Sequence, residues 1–553
     1  MRSALALFLV AAVPQDPVPA LRGAVRGGDT NAPVVVRVLR PRIGAGGRPL
    51  PFAAEQVYAP HGVRDLRLDR PGEFQFQDLE PGAYGVIAFQ DRDGDGALGF
   101  DPPEPFGWAA AEPGGPVAVL AVQRGTATAV TIDLRTPTPP PRDPVHAGAA
   151  TLTRMRGIPV LQLRGTRAER GHAHGRLLAR QILDFFEFFV IEEMEESAAR
   201  YEREWVPFLE SRFREIPAYR AELDAVLQGM RASGVDLRVP CLGREFRRVD
   251  LEAINAYVEK RARSAAACSQ FAFWGPRTEG GTLAGQLVVG RNMDAEIDLR
   301  KVTVSHFLLI ASDPAEPGLR RHVSCMWPGF VGTLSGVNED GLYAMENAGQ
   351  TRPGPVVGGL VPVSWVMRHA LETLGGDTTP AAVRGAIEAF RSDGGGGVAP
   401  GGSIVWAMPF RGQQAPAFVY EGDRFGGALR LPTEGAPRDP HALLATNHFL
   451  VYGADPTRPG TVFGKEPAFS SRWRFETGVQ QMQALARLRR PVDVATVQGL
   501  LRSVCHGTTE HALVFLPESR RLFVAVDDLA ADAWDAPWHP WAEFTLAELF
   551  ARP

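Results

Sequence analysis

Across 553 residues the chain holds only four cysteines, no apolar run long enough to cross a bilayer, and little excess of either charge. Each scarcity excludes something. A formal net charge of −4 with no strongly basic patch argues against a nucleic-acid partner. The N-terminal apolar run from Ala4 to Val13 is too short to span a membrane, and no cysteine follows it to carry a lipid anchor. No stable membrane insertion is expected. Cys241, Cys268, Cys325 and Cys505 permit disulfides in an exported chain, but at most one if Cys268 stays free.

What is present is ordinary soluble material, 45% hydrophobic and long enough for two or more domains. Arg2, the run to Val13 and Pro14 fit an export signal over residues 1–20, with small-residue sites ending at Ala12 and Ala20. A secreted or periplasmic location is expected.

Residues 21–135 are rich in Val, Gly and Pro, and no helical periodicity interrupts them. Val34–Val38, Phe74–Phe76, Tyr84–Phe89, Val117–Val122 and Ala127–Leu134 read as strands, with Glu80-Pro81-Gly82 as a turn. The expectation is a small all-β sandwich. Its Pro-Gly-x-Tyr pattern resembles the carboxypeptidase-regulatory-like and transthyretin-like accessory domains of secreted proteins. Within it, Asp91, Asp93 and Asp95 alternate ahead of Gly96, the first half of a calcium loop. The twelfth position is Pro102 rather than an acid, so Asp101 or Glu104 would have to substitute. A structural calcium is one reading; an acidic hairpin that binds nothing is the other.

Thr136 to Pro144 is a stiff, proline-rich linker, placing a boundary at 136–148. Beyond it, over 149–553, a strand at Ile158–Leu163 leads into Glu169-Arg170-Gly171-His172-Ala173-His174-Gly175 and a run of helical patterns to Arg261. His172 and His174, two apart on a helix, point to different faces and make a poor metal pair. Strands then recur at Val302–Ile310, His322–Trp327, Gly341–Met345, Ser403–Met408, Ala417–Tyr420, Ala512–Leu516 and Leu522–Val526. Helical patterns fall at Ser364–Leu374, Pro380–Phe390, Phe475–Leu488 and Val492–Val504, and Gly394–Gly402 reads as a loop. Sheets covered by helices, an α+β class, are expected.

The stretch from Ser264 to Asp294 organises this second region. Two strand-like runs flank Gly275-Pro276 and Glu279-Gly280-Gly281, an antiparallel hairpin that sets Cys268 opposite Arg291, with Asp294 nearby. A thiol gains nucleophilicity from adjacent positive charge and a base. If the bond after Ala267 were cut, the freed α-amine of Cys268, with a reference pKa of about 7.7–8.0, would be that base.

The pieces Glu169-Arg170-Gly171, His174-Gly175, Ala267-Cys268-Ser269, Gly290-Arg291-Asn292-Met293-Asp294, Thr446-Asn447-His448-Phe449 and Ser471-Arg472 stand in an order that resembles one family. That family is the isopenicillin N acyltransferase group of N-terminal-nucleophile (Ntn) hydrolases, with more distant similarity to acid ceramidase and choloylglycine hydrolases. The resemblance spans Ala149 to the C-terminus. It implies a four-layer αββα sandwich, self-cleavage between Ala267 and Cys268 into segments 149–267 and 268–553, and catalysis without a cofactor. It also implies Cys268 as nucleophile and α-amine base, Arg291 and Asp294 as its positioning pair, Asn447 in the oxyanion hole and Arg472 as a supporting arginine, with its neighbour Arg474 matching the position equally. The reaction would be amide cleavage or acyl transfer on a small N-acyl or peptide-like substrate. Two other readings stand beside it. One is a conventional cysteine hydrolase using Cys325 or Cys505 with His506 or His511, without self-processing. The other is a non-catalytic secreted binding protein. Phe271, Phe273, Trp274 and Trp327 are candidates for an acyl pocket, and Asn347 for the rim of the site.

Overall fold

The computed structural model describes residues 21–77, 79–123, 126–214, 216–257, 267–294, 298, 302–354, 358–391, 397–399, 401–458, 460–528 and 535–552. The export signal expected at 1–20 and residues 258–266 ahead of Cys268 lie outside them. The chain divides into two compact units, 1–111 with 116–136, and 112–115 with 137–553.

The first unit is built from two sheets. Leu21–Gly27 lies between Glu73–Phe76 and Thr128–Leu134, the latter parallel to it. The second sheet runs Arg64–Leu68, Val34–Leu39, Gly82–Gln90, Phe106–Trp108, with Leu120–Val122 also on Gly82–Gln90. Leu21, Val25, Phe76 and Ile132 from one sheet meet Val34, Val36, Tyr84 and Val86 from the other in one core. The expectation of strands alone missed a one-turn helix, Ala54–Val57. Four residues are too few to show a 3.6-residue period.

The second unit has a ten-stranded and a six-stranded sheet. The six-stranded sheet runs Ala442–Ala445, Ala267–Phe273, Val288–Asp294, Thr509–Leu516, Arg521–Val526, Ala542–Thr545. The ten-stranded sheet begins at Val145–Ala147, inside the stretch read as linker, and includes Ile158–Gly165, Leu308–Pro314, His322–Met326, Ser335–Asn338, Tyr343–Ala348, Gly402–Ala407 and Ala417–Asp423. Side chains of alternate residues explain how the sheets stack. Ala272, Trp274, Val289, Leu513 and Phe515 share a core with Leu309, Val323, Tyr343, Val405 and Val419 of the other sheet. Phe271, Phe273, Val288 and Val514, one residue out of phase, pack instead on Phe475, Met482, Val497 and Leu501 of helices Phe469–Arg487 and Val494–Ser503. Each such Phe or Leu stabilises the fold by roughly 1.5–3 kcal/mol.

Helices Arg167–Asp184 and Val363–Thr373 pack on strands of the ten-stranded sheet. The first crosses Pro217–Ala232 at very close range: a Cβ at Gly175 would sit 1.9 Å from the Val226 carbonyl oxygen, and one at Gly229 2.0 Å from that of His172. Two expected elements differ. Val302–Ile310 is helical at its start, and the strand is Leu308–Pro314. Part of the expected loop at 394–402 is strand, Gly397–Ala399 on Leu360–Pro362. Among the described residues no helix is long and apolar enough to cross a membrane.

Candidate active site

In the hairpin, Cys268 lies opposite Met293 and Gln270 opposite Arg291. The register is two residues from the expected Cys268–Arg291 pairing, because the turn sits slightly later than Glu279-Gly280. A two-residue slip keeps every side chain on its face. Arg291 therefore still reaches the thiol, diagonally, with Nη2 3.6 Å from Sγ. Met293 Sδ is 3.9 Å from the same sulfur.

Arg291 is fully buried and is held by oxygens of the facing sheet. Nη1 donates to the Leu334 carbonyl at 2.6 Å and to Ser335 Oγ, and Nη2 donates to the Glu346 carbonyl at 2.6 Å. Among the described residues no carboxylate hydrogen-bonds it, and its charge is felt by both the Cys268 sulfur and the buried Glu346 carboxylate. Burial pushes the Cys268 thiol pKa up, Arg291 pulls it back, and Asp294 and Glu346 oppose that pull. Burial prevails and the thiol stays protonated in the uncut chain. Among the described residues no imidazole or carboxylate hydrogen-bonds Sγ, whose partners are Arg291 and Met293.

The backbone of Cys268 is gripped by side chains. Its N–H donates to Asn447 Oδ1 at 2.6 Å. Arg474 Nη1 donates to its carbonyl at 2.5 Å and to Ser269 Oγ at 2.8 Å, while Nη2 donates to Asn447 Oδ1 at 2.9 Å. Asn447 is fixed in turn, its N–H donating to Ser471 Oγ at 2.9 Å and its Nδ2 to the Ala348 carbonyl at 2.7 Å. One of the two Nδ2 hydrogens remains for another acceptor. Asp294 pairs with Ala267 across the hairpin. Its Oδ1 accepts from Thr509 Oγ1 at 2.5 Å, and its Oδ2 is buried with no partner. Burial raises its pKa to about 7, against the pull of Arg474 and the Thr509 hydrogen bond.

Cys268, Arg291, Asp294 and Asn447 thus converge. Arg472 does not: its side chain is half exposed and pairs with Glu466 at 3.5 Å. Residues two apart on a helix differ by about 200°, so only one of Arg472 and Arg474 can face the sheet, and it is Arg474. Helical periodicity carried that signal, since Phe475 and Met482 mark the buried face. Thr509 and Gln270 carried none, because their roles depend on register. Gln270 accepts from Tyr343 and donates to Asn347 Oδ1 at 2.7 Å. Asn347 is a buried strand residue, its Nδ2 donating to the Thr446 carbonyl. Of the four aromatic candidates, Phe271 and Phe273 face the helices and Trp274 the inter-sheet core, while Trp327 joins Phe185, Tyr257 and Phe330 in an aromatic cluster.

Among the described residues no histidine hydrogen-bonds the thiol of Cys325 or Cys505. Cys325 lies in the inter-sheet core with its pKa raised by burial to about 12, and Cys505 donates to the Arg502 carbonyl at 3.1 Å. No disulfide joins any of the four cysteines, all of which lie among the described residues. His174 is buried and accepts from the Gly329 N–H at 3.0 Å, a structural contact.

In the first unit, ligand oxygens of Asp91, Asp93 and Glu104 lie within 4.8 Å of one another, an arrangement whose chemistry suits a divalent cation. Glu104, one of the two acids expected to stand in for the twelfth position, is in the group, while Asp95 is not: its carboxylate accepts from the Ala97 N–H at 2.7 Å. Burial raises the Glu104 pKa, and Asp93 and Asp91 add to it. Asp91 is also paired with Arg67 at 2.7 Å.

Residues 59–118 match the model of a family described as uncharacterized proteins conserved in bacteria, DUF2141. No curated protein matches the chain. Among solved structures, the chain is similar to a Caenorhabditis elegans ortholog of N-acylethanolamine-hydrolyzing acid amidase, at 17% identity over 45% of this chain and 93% of that one, TM-score 0.30. It is also similar to a variant of conjugated bile acid hydrolase from Clostridium perfringens, at 11% identity over 52% and 95%, TM-score 0.33. A third is penicillin V acylase from Agrobacterium tumefaciens, at 15% identity over 47% and 83%, TM-score 0.30.

Proposed function

We propose that the second unit is a self-processing N-terminal-nucleophile amidohydrolase or acyltransferase in a four-layer αββα fold, with Cys268 as nucleophile. One observation carries the reading: among the described residues the Cys268 sulfur has no side-chain base, while its own nitrogen is held 2.6 Å from Asn447 Oδ1, and Asp294, whose Oδ2 is buried without a partner, pairs with the preceding residue Ala267. A protonated thiol in such a site needs a base, and among the described residues the group placed to become it is the Cys268 amine.

Self-cleavage supplies that amine. The thiol attacks the Ala267 carbonyl carbon, the acyl group shifts from nitrogen to sulfur, and water hydrolyses the thioester. The products are a carboxylate at Ala267 and a free α-amine on Cys268. In the cut enzyme the amine takes the thiol proton and the thiolate attacks an amide carbonyl. The free Nδ2 hydrogen of Asn447 stabilises the oxyanion, a contribution of about 10²–10³ in rate when one donor is lost. The ammonium returns its proton to the leaving amine, and water or a second amine resolves the thioester. Asp294 Oδ2 holds the ammonium, Arg474 holds Asn447, and Arg291 stabilises the thiolate. Export, and a periplasmic or secreted setting, belong to the same proposal.

The test is hydrolysis of a panel of N-acyl p-nitroanilides by the purified protein and by C268A. The reading expects turnover that C268A abolishes, with a thiol-directed acyl probe labelling Cys268. Turnover undiminished in C268A would return the chemistry to Cys325 or Cys505.

A further inference from the structure

Cys268, Met293 and His511 form a row across three adjacent strands of the six-stranded sheet, each opposite the next. Cross-strand partners share a face, so His511 points to the same inter-sheet layer as the Cys268 thiol. Two strand spacings put the His511 Cα about 10 Å from that of Cys268. The row lies near the end of the sheet, for Cys268 is the second residue of its strand and Met293 the last but one of its own.

His511 is 1% exposed, and among the described residues neither Nδ1 nor Nε2 has a hydrogen-bond partner. Buried side-chain nitrogens are almost always satisfied, so two orphans on one ring call for an account. Its neighbours are aromatic: the Phe307 ring centroid is 4.7 Å away and that of Trp327 6.0 Å. Burial and Arg291 keep the ring neutral, with one nitrogen a donor and the other an acceptor. A neutral imidazole between aromatic rings, with nothing to bind, is costly unless another molecule completes it.

We propose that His511 is a specificity residue that hydrogen-bonds a polar atom on the acyl group of the substrate. The preferred acyl group has an aromatic or apolar body, lying along the row beside Phe307 and Trp327. It ends in a hydroxyl or carbonyl about two strand spacings from the thioester carbon. This rests on Cys268 being the acyl acceptor.

The probes are a matched pair: the p-nitroanilides of 3-(4-hydroxyphenyl)propanoic and 3-phenylpropanoic acids, and the two free acids. The protein prefers the hydroxylated anilide in kcat/KM by about tenfold or more, and H511F brings that ratio towards one. The acids test the same point without catalysis. In the C268A background the hydroxylated acid binds about tenfold tighter by calorimetry, and adding H511F removes the difference. H511Q, which keeps a donor and an acceptor, retains part of it. If H511F does not fold, H511M takes its place. A preference that survives H511F, or equal binding of both acids by the parent, overturns the proposal. Discrimination between the acids without turnover of either anilide would leave His511 as a binding residue and refute the hydrolase reading instead.

Discussion

At the scale of single residues, Asp294 makes the sharpest claim. Its folded pKa, raised to about 7 from a reference near 3.9, means that the native uncut chain holds the proton more tightly than the unfolded one. Stability from this group is fully present below about pH 4 and is lost as pH rises through about 7. The span corresponds to up to roughly 4 kcal/mol. Urea denaturation of the uncut C268A protein at pH 4.5 and 7.5 should therefore show a fall that D294N largely removes; an equal fall in both proteins would place it elsewhere. The two arginines of the helix start separate just as cleanly. R474A should slow self-cleavage and turnover by at least about 10², since it frees Asn447 and the Cys268 carbonyl together, whereas R472A should stay within about twofold of the parent. Cleavage followed on a denaturing gel distinguishes them.

The same residues show what was legible beforehand. Cys268, Arg291 and Asp294 could be placed together from sequence because a hairpin preserves face even when its register slips by two, whereas Asn447, beyond strand Ala442–Ala445, entered only through the family resemblance. Arg474 required the helical phase to be applied to its own neighbourhood. Thr509 and His511 sit on a strand that is distant in sequence, so only the pairing of Val288–Asp294 with Thr509–Leu516 brings them in.

At the scale of elements, the piece Glu169 to Gly175 is a packing device. Thr166 and Glu169 cap the helix reciprocally, Arg170 pairs with Glu316 at 3.0 Å, and Gly171 and Gly175 lie against the backbone of Pro217–Ala232. G175A would drive a Cβ to 1.9 Å from the Val226 oxygen and should destabilise the second unit by about 2 kcal/mol or more, measured by denaturation with C268A as background. Strand boundaries in this unit were readable because runs such as Ala512–Leu516 and Leu522–Val526 are apolar on both faces. The order of strands in two sheets was not, since long-range pairing leaves no local mark. The Val302 segment misled for the opposite reason: its β-branched residues favour strands, yet Val302 and Val304 pack in a helical turn followed by Phe307.

At the scale of the molecule, the account comes to one covalent event. Among the described residues the buried sulfur of Cys268 has no side-chain base in the single chain, and on the proposed mechanism the same geometry becomes a complete nucleophile once the bond to Ala267 is broken. The most direct measurement is the intact mass of the purified full-length protein together with N-terminal sequencing of its fragments. The account predicts a fragment that begins at Cys268 and its absence from C268A. A single uncut chain that turns over an amide would contradict it, because the α-amine would then have no part in the chemistry.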